Sequence, residues 1–600
     1  MGGIAGLVHF AGDGPADVDA DALLRGVAHR GPGGAPQWVG AAGARLGGVP
    51  FAAAGAPASA AAAGVRVQAV LDGRLYGGGL DAVAAAFAAE GPAALAGLDG
   101  EWALALFDAA EGVLWLARDR LGTRPLFWAR SGARAAFASE IPPLLGLPWV
   151  SRELASDHVA EYLSFRYVHA PRTLLRDVSA VPAGHVVRLD ARGVSLRAWA
   201  RPVWSAPGAP VPPDREIVAA VDGALQRAVA RRAGGSPSAG VLLSGGLDSS
   251  AILHHLRAVV PRPSSFTVAL RDDPADESAF AARVARHMGA EHHLVLVSSH
   301  ELVDALAACT RAMGQPLPGA AAALQWRLFD AARSHTRVVL SGDGGDEVLA
   351  GRSADQIARR LRHNRRLSGL PGPLRRVAQG VAGRLGQADL AASQAGFGLE
   401  RNIGGSSIFH SHDRVEILRD PGLVRPGIRR TVLEPLYQEV VTDPLNAVLH
   451  VWQRGWLAED SLARSDRMAA RAGVEVRYPL LDAGLIIVAN GLPGEAKAHP
   501  VRWAHVTKWP LREALRGHMP NGAFLERPKR SMPPLDRWLR GPGQDFLRAT
   551  TERLVDDPSS LFVPAAVRRL VAAHLSGAAN HGLRLWTLCL FRLWREELGV

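Results

Sequence analysis

The string LLSGGLDSS, residues 242–250, joins an apolar run to a segment of helical pattern through a turn of Ser and Gly. Small side chains in such a turn let successive backbone N–H groups point inward. The helix start that follows adds partial positive charge, so the turn can hold a pyrophosphate-like anion. No Gly-Lys-Ser/Thr follows, which separates it from a Walker loop. A second string, SGDGGDE at 341–347, follows the apolar run TRVVL in the same manner. Each string sets an aspartate, Asp248 or Asp346, in a glycine-rich turn after a strand. Strands of an open parallel sheet end on the ligand side, so these are hard oxygen donors where a ligand would lie. Lysine usage adds a signal: the chain has only three lysines, Lys497, Lys508 and Lys529, among 68 basic residues. A retained lysine in so Arg-rich a chain marks a place suited to a compact ammonium rather than a planar fork.

These residues need a scaffold, and 600 residues exceed one compact core, so two domains are the expectation. Residues 1 to about 200 carry short apolar runs such as VRVQAVLDG, EWALALF and GVLWLAR between turn residues, which reads as a β-rich domain. Residues 201–215, RPVWSAPGAPVPPDR, form a Pro-rich linker. From Glu216 the period changes to an amphipathic helix, and strand and helix alternate through AGVLLS, SSFTVAL, EHHLVLV and TRVVLSG. This alternation predicts an α/β domain, 216–600, with a doubly wound parallel sheet. Beyond about residue 350 the pattern is mainly helical, and the Arg-rich stretch Arg352 to Arg376 reads as a solvated helix face, with grip on an acidic peptide or partner protein as the functional alternative.

The motifs carry a resemblance. SGGLDSS resembles the pyrophosphate loop of the ATP pyrophosphatase superfamily, matched by Ser244, Gly245, Gly246, Asp248, Ser249 and Ser250, and SGDGGDE resembles the second acidic motif of asparagine synthetases. SDRMAARAGVEVRYPLLD (465–482), KWPLREAL (508–515) and RPKRS (527–531) extend the likeness over nearly the whole chain. The resemblance implies that ATP binds on the loops, with Ser341 and Gly342 beside it and Leu242 and Val268 against adenine. It implies further that Asp248 and Asp346 share Mg²⁺, and that Lys529 neutralises the departing pyrophosphate, with Lys508 in a neighbouring string. Asp343 or Glu347 is the expected proton acceptor, and Lys497 is expected to be a solvated side chain. In the N-terminal domain, MGGIAGL, HRGPGG (29–34), LDGRLY (71–76) and ARDRLGTRPLFW resemble the class II glutaminase partner of this family, which implies an Ntn-hydrolase-like αββα sandwich. That family begins Met-Cys-Gly-Ile, and here the cysteine position is Gly2. The acidic segment that would hold the glutamine amine is also absent, so no glutaminase activity is expected.

Among relatives without the cysteine, the length, Asp343 and the basic insertion after Gly351 make the chain most similar to the lasso peptide cyclases, which close an isopeptide macrolactam. An ammonia-dependent asparagine synthetase, a β-lactam-synthetase-like cyclase and an inactive scaffold are the alternatives. The cyclase resemblance implies a linear peptide substrate, a leader-binding recognition protein and a leader protease. Composition excludes other classes. The dispersed basic residues do not form a nucleic-acid footprint, although net charge is +11. No stretch of about 18 apolar residues suggests a membrane span, and no signal pattern is seen, so a cytoplasmic location is expected. Cys309 and Cys589 lie in apolar contexts as buried thiols.

Overall fold

The computed structural model describes residues 2–11, 17–41, 43–51, 61–63, 66–234, 236–271, 276–317, 319–351, 353–359, 408–501, 505–519 and 535–600. Alternation in the N-terminal runs produces strands with two different faces. In β1 (Gly2–His9), Ile4 and Val8 point one way and Ala5 and Leu7 the other, and all four are buried. The further strands are β2 (Gln37–Ala41), β3 (Ala44–Pro50), β4 (Ala61–Ala63), β5 (Val67–Leu75), β6 (Gly100–Asp108), β7 (Val113–Arg118), β8 (Phe127–Ser131), β9 (Arg134–Ala138), β10 (Val178–Ala180), β11 (His185–Asp190) and β12 (Gly193–Ala198). They form two antiparallel sheets, ordered β10-β8-β9-β1-β3-β2 and β12-β11-β7-β6-β5-β4. Ile4, Val8, Leu46 and Phe137 of the first meet Val70, Ala105, Phe107 and Leu116 of the second. Helix α1 (Asp17–Gly26) covers the outer face of the first sheet through Leu23 and Leu24, and α2 (Leu80–Glu90) covers that of the second through Val83 and Phe87. The result is an αββα sandwich, as expected from the sequence.

Residues 201–213 form no helix or strand, yet Trp204 and Ser205 are buried. After helix α3 (Asp214–Ala233) come strands β13 (Gly240–Leu242), β14 (Ser264–Leu270), β15 (Glu291–Val297), β16 (Val338–Leu340) and β17 (Glu475–Arg477). They make one parallel sheet in the order β15-β14-β13-β16-β17. Between β13 and β16 the winding reverses, which opens a crevice at their carboxyl ends. Helices α4 (Leu247–Leu256), α5 (Ser278–His287), α6 (Ser299–Met313) and α7 (Ala321–Ala332) supply the layers around it, and helices dominate the described residues beyond 408, among them α8 (Ala463–Ala472), α9 (Trp509–Leu515) and α10 (Gly582–Leu598). Strand β17 is the departure from the helical reading of this region. Its Glu475 and Arg477 are fully buried and pair with each other at 2.9 Å, so no apolar run announces it.

The arginines are less a surface feature than the sequence suggests. Arg30, Arg124, Arg232, Arg414 and Arg477 are among the largest fully buried side chains. Arg30, Arg124, Arg232 and Arg414 join the two domains, Arg414 by donating to Ser164 Oγ at 2.8 Å. Asp466, on α8, accepts from Arg30 at 2.9 Å and Arg124 at 2.8 Å, and Arg30 also reaches Asp72 and Glu140. Arg232 of α3 donates to Glu101 of β6 at 2.9 Å and pairs with Asp482. A guanidinium suits these places because its fork serves several acceptors at once.

Lys497 is a correction. Expected in solvent, it is fully buried, its Nζ 5.0 Å from the centre of the Trp204 ring and without a hydrogen-bond partner among the described residues. The polar string around it gave no sign that Trp204 and the apolar side chains near it would cover the amine. Burial pushes its pKa down to about 7, with Asp443 opposing. Cys309 and Cys589 are buried, and burial pushes both thiols up to about 12. No helix among the described residues is long and apolar enough to cross a membrane.

Two outcomes are expected. Replacing Asp466 by Ala leaves two arginines buried without their shared carboxylate and lowers unfolding free energy by about 3–5 kcal/mol, read from denaturant midpoints. Lys497 carries a proton in the unfolded chain up to about pH 10, but in the fold only up to about 7. Its burial therefore opposes folding fully below pH 7 and progressively less as pH rises. The stability advantage expected of Lys497→Met over the unmodified chain narrows by about 2 kcal/mol between pH 7 and pH 9, which paired unfolding curves at the two pH values check.

Candidate functional site

Both glycine-rich turns open at the crevice between β13 and β16. The first leaves β13 through Leu243 and Ser244, turns at Gly245 with φ 71°, and enters α4 at Gly246. Its small side chains hold the turn from within: Ser249 Oγ accepts from the Ser244 N–H at 3.2 Å and donates to the Gly246 carbonyl at 3.2 Å, and Ser244 Oγ accepts from the Gly246 N–H at 3.2 Å. Ser244 and Gly246 are exposed at the mouth, while Ser249 and Ser250 are buried beneath it. An exposed turn at the N-terminus of a ten-residue helix presents partial positive charge to an anion.

The second turn leaves β16 at Ser341, whose N–H donates to the Arg477 carbonyl of β17 at 2.9 Å. Gly342 follows, and the short helix Gly345–Val348 carries Asp346 and the buried Glu347. Asp343 accepts a hydroxyl from Ser341 at 2.7 Å and one from Ser461 at 2.6 Å. Ser461 escaped the sequence reading, because a lone serine about 120 positions away gives no signal of its contact.

Lys508 brings the two turns together. Its Nζ donates to Asp248 Oδ2 and lies 2.6 Å from Asp346 Oδ1. The two carboxylates hold the ammonium charged, its pKa raised above the usual lysine value despite burial. Lys508 itself is buried and left-handed, with φ 51° and ψ 36°, at the start of α9. The neighbouring chain leaves no spare room: a Cβ on Gly351 would sit 2.3 Å from the lysine Cε and 1.9 Å from Asp346 Oδ1. The rarity of lysine pointed to this residue, but its place between the two motif aspartates was not foreseen.

Asp248 Oδ1 is buried and has no hydrogen-bond partner among the described residues. Two hard carboxylates, one with an orphaned oxygen, fit a divalent cation such as Mg²⁺. Leu242 and Val268 are half-buried on β13 and β14, packed against the core of the domain beside the crevice. Lys529 lies outside the described residues, as does most of the Arg-rich stretch 352–376.

The N-terminal strand ends differently. The Gly2 N–H donates to Asp72 Oδ1 at 3.1 Å and its carbonyl accepts from Arg30 Nε at 2.9 Å. A Cβ at this residue would meet the Val49 carbonyl oxygen at 2.8 Å. Both cysteines of the chain lie in the other domain, so no thiol stands beside this strand end.

Comparison with known proteins agrees with this architecture. The asparagine synthase family profile matches residues 220–596, and the glutamine amidotransferase domain profile matches residues 79–200. The putative asparagine synthetase (glutamine-hydrolyzing) of Mycobacterium tuberculosis is 31% identical over 86% of this chain and 79% of its own length. Asparagine synthetase (glutamine-hydrolyzing) 1 of Bacillus subtilis is 26% identical over 83% of this chain and 78% of its own. Among solved structures, an allosteric regulatory enzyme of purine biosynthesis matches at 12% identity and a TM-score of 0.25, over 49% of this chain and 80% of that one. With a loop and an acidic turn set at one crevice, and the family profile spanning the domain that carries them, the chain belongs to the asparagine synthase family, whose members are ATP-dependent amide ligases.

Proposed function

We propose that this ligase draws its amine from the substrate and not from glutamine, closing an isopeptide macrolactam on a peptide as the lasso peptide cyclases do. The observation that carries the reading is Gly2. Its backbone is tied into the Asp72–Arg30 pair and no cysteine exists in the N-terminal domain, so the chain lacks the thiol with which a class II glutaminase attacks an amide. With no ammonia released internally, the nucleophile must arrive with the substrate or from solution.

In this mechanism a side-chain carboxylate oxygen of a peptide Asp or Glu attacks the α-phosphorus of ATP, and the bond to pyrophosphate breaks. The peptide's N-terminal amine then attacks the acyl-adenylate carbonyl, the C–N bond forms and AMP leaves. The loop at 244–250 holds the phosphates through backbone N–H groups and the start of α4. Lys508, paired with an aspartate of each turn, is assigned an electrostatic role toward them, and Lys529 the same role. Asp248 and Asp346 would hold Mg²⁺, which neutralises charge on the phosphate oxygens when bound. Asp343, held by two hydroxyls, or Glu347 is assigned to take the amine proton. Binding supplies much of the effect, because ring closure of a threaded peptide is opposed by entropy. A leader-binding recognition protein and a leader protease are the proposed partners, delivering the cut core peptide.

The test is AMP release by the Mg²⁺-supplemented protein, comparing linear peptides with a free N-terminal amine and an internal Asp or Glu against aspartate with ammonium or with glutamine. AMP together with a peptide lighter by one water, and no glutamate from glutamine, is the expected result. Asparagine from aspartate and ammonium would replace the cyclase reading with an ammonia-dependent synthetase, and AMP in no arm would point to a scaffold. In the productive arm, Lys508→Ala is expected to lower kcat by about 100-fold or more, since it removes one preorganised charge. Lys508→Arg should not restore it, because the planar fork does not fit beside Gly351.

A further inference from the structure

The end of the parallel sheet opposite the two glycine-rich turns carries a second group of side chains suited to a ligand. Glu291 and His293 stand two residues apart at the start of the edge strand β15, so both project from the same face. His335 lies between α7 and β16, at the same end of the sheet. We propose that Glu291, His293 and His335 form a binding site for one divalent transition-metal ion of the zinc type, separate from the nucleotide crevice.

Four observations carry this. One ligand atom from each of the three side chains lies within 4.8 Å of the others. Zinc bonds of about 2.0–2.2 Å in a tetrahedron place ligand atoms roughly 3.4 Å apart, so side-chain rotation alone closes the set. The donors are two imidazole nitrogens and one carboxylate oxygen, a combination that selects zinc, cobalt, nickel or copper over magnesium. The third observation is an unsatisfied atom: His293 Nε2 is buried without a hydrogen-bond partner among the described residues, and the Glu291 carboxylate, 3.7 Å away, is too far to be one. The His335 imidazole lies against that ring with centroids 3.8 Å apart and planes 32° apart, so a turn of either ring brings a second nitrogen beside the unbonded Nε2 at the shared ring edge, where an ion would satisfy it.

The fourth is the framework. His293 is paired in register with Phe266 of β14, whose ring stacks on the imidazole at 5.1 Å and also contacts His335. The Glu291 N–H donates to the Pro263 carbonyl at 3.0 Å, and the His335 N–H donates to that of Ala332 at 2.9 Å. The ligands therefore stand on fixed backbone, while the exposure of Glu291 and His335 leaves an entry path and an open coordination position to water. An ion here would tie the edge strand β15 to the segment that feeds β16.

The test uses the full-length protein, stripped with chelator and titrated with Co²⁺ and with Zn²⁺ in the presence of excess Mg²⁺. Expected are one ion per chain, a visible Co²⁺ spectrum of low coordination number, and a raised thermal midpoint on Zn²⁺ addition. Both spectrum and thermal shift should disappear in His293→Ala/His335→Ala. Glu291→Gln, an exposed and conservative change, should weaken binding while leaving the metal-free thermal midpoint in place, which keeps the result readable if the double variant unfolds. Binding unaltered in Glu291→Gln and in either single histidine variant, or no binding by the unmodified chain, would overturn the proposal.

Discussion

The fold depends on one shared anion. Asp466 lies fully buried between Arg30 and Arg124, residues of the other domain, and each of those arginines is itself closed off from water. A charge buried without its partner is strongly unfavourable, whereas a fully satisfied set of opposite charges is tolerated. Parting the domains would strip Asp466 of both arginines and Arg124 of its carboxylate, whereas Arg30 would keep Asp72 and Glu140. Desolvation is the largest opposing influence on Arg30, and the carboxylates of Asp466, Asp72 and Glu140 outweigh it, holding the guanidinium above its ordinary pKa. Because α8 carries Asp466 and leads into β17, the same contact also fixes the edge of the parallel sheet. The N-terminal domain thus has a mechanical use that needs no chemistry of its own.

At the other end of that sheet, the same economy of charge operates with opposite sign. Two acidic side chains come from turns nearly a hundred residues apart and are held together by a single ammonium. The backbone accepts a left-handed lysine to put it there. Such conformations cost of order 1 kcal/mol and persist where surrounding structure determines them. The arrangement explains why this position keeps lysine in a chain that otherwise uses arginine: between two carboxylates and against Gly351 there is room for a point charge and not for a fork.

Much of this was legible beforehand, and the reasons differ by element. The strands around Leu242 and Val268 show in the sequence as apolar runs, and Gly and Ser punctuate the turns, because backbone geometry at those points demands small residues. The β-rich character of the first domain was legible from its short apolar runs, and the sandwich from resemblance alone. Strand β17 was not, since its stabilisation comes from Glu475, Arg477 and Arg74, and charged residues in a fully buried strand defeat a reading based on hydropathy. Lys497 failed for the same reason in reverse: its burial is decided by Trp204, almost three hundred residues away. Ser461 and Asp466 show that a partner's identity resides in tertiary contact, which no local pattern encodes.

The strand end at Gly2 constrains any attempt to add a thiol there. With the Val49 carbonyl 2.8 Å from where a β-carbon would be, any side chain at that position requires β1 and β3 to shift, and the Gly2 backbone also meets Asp72 of β5 and Arg30, the arginine that pairs with Asp466. A cysteine placed there would have to move a backbone that already serves the contact between the domains. The fold would register a single Gly2→Cys substitution as a packing change first, with the displacement carried through Arg30 toward the far domain.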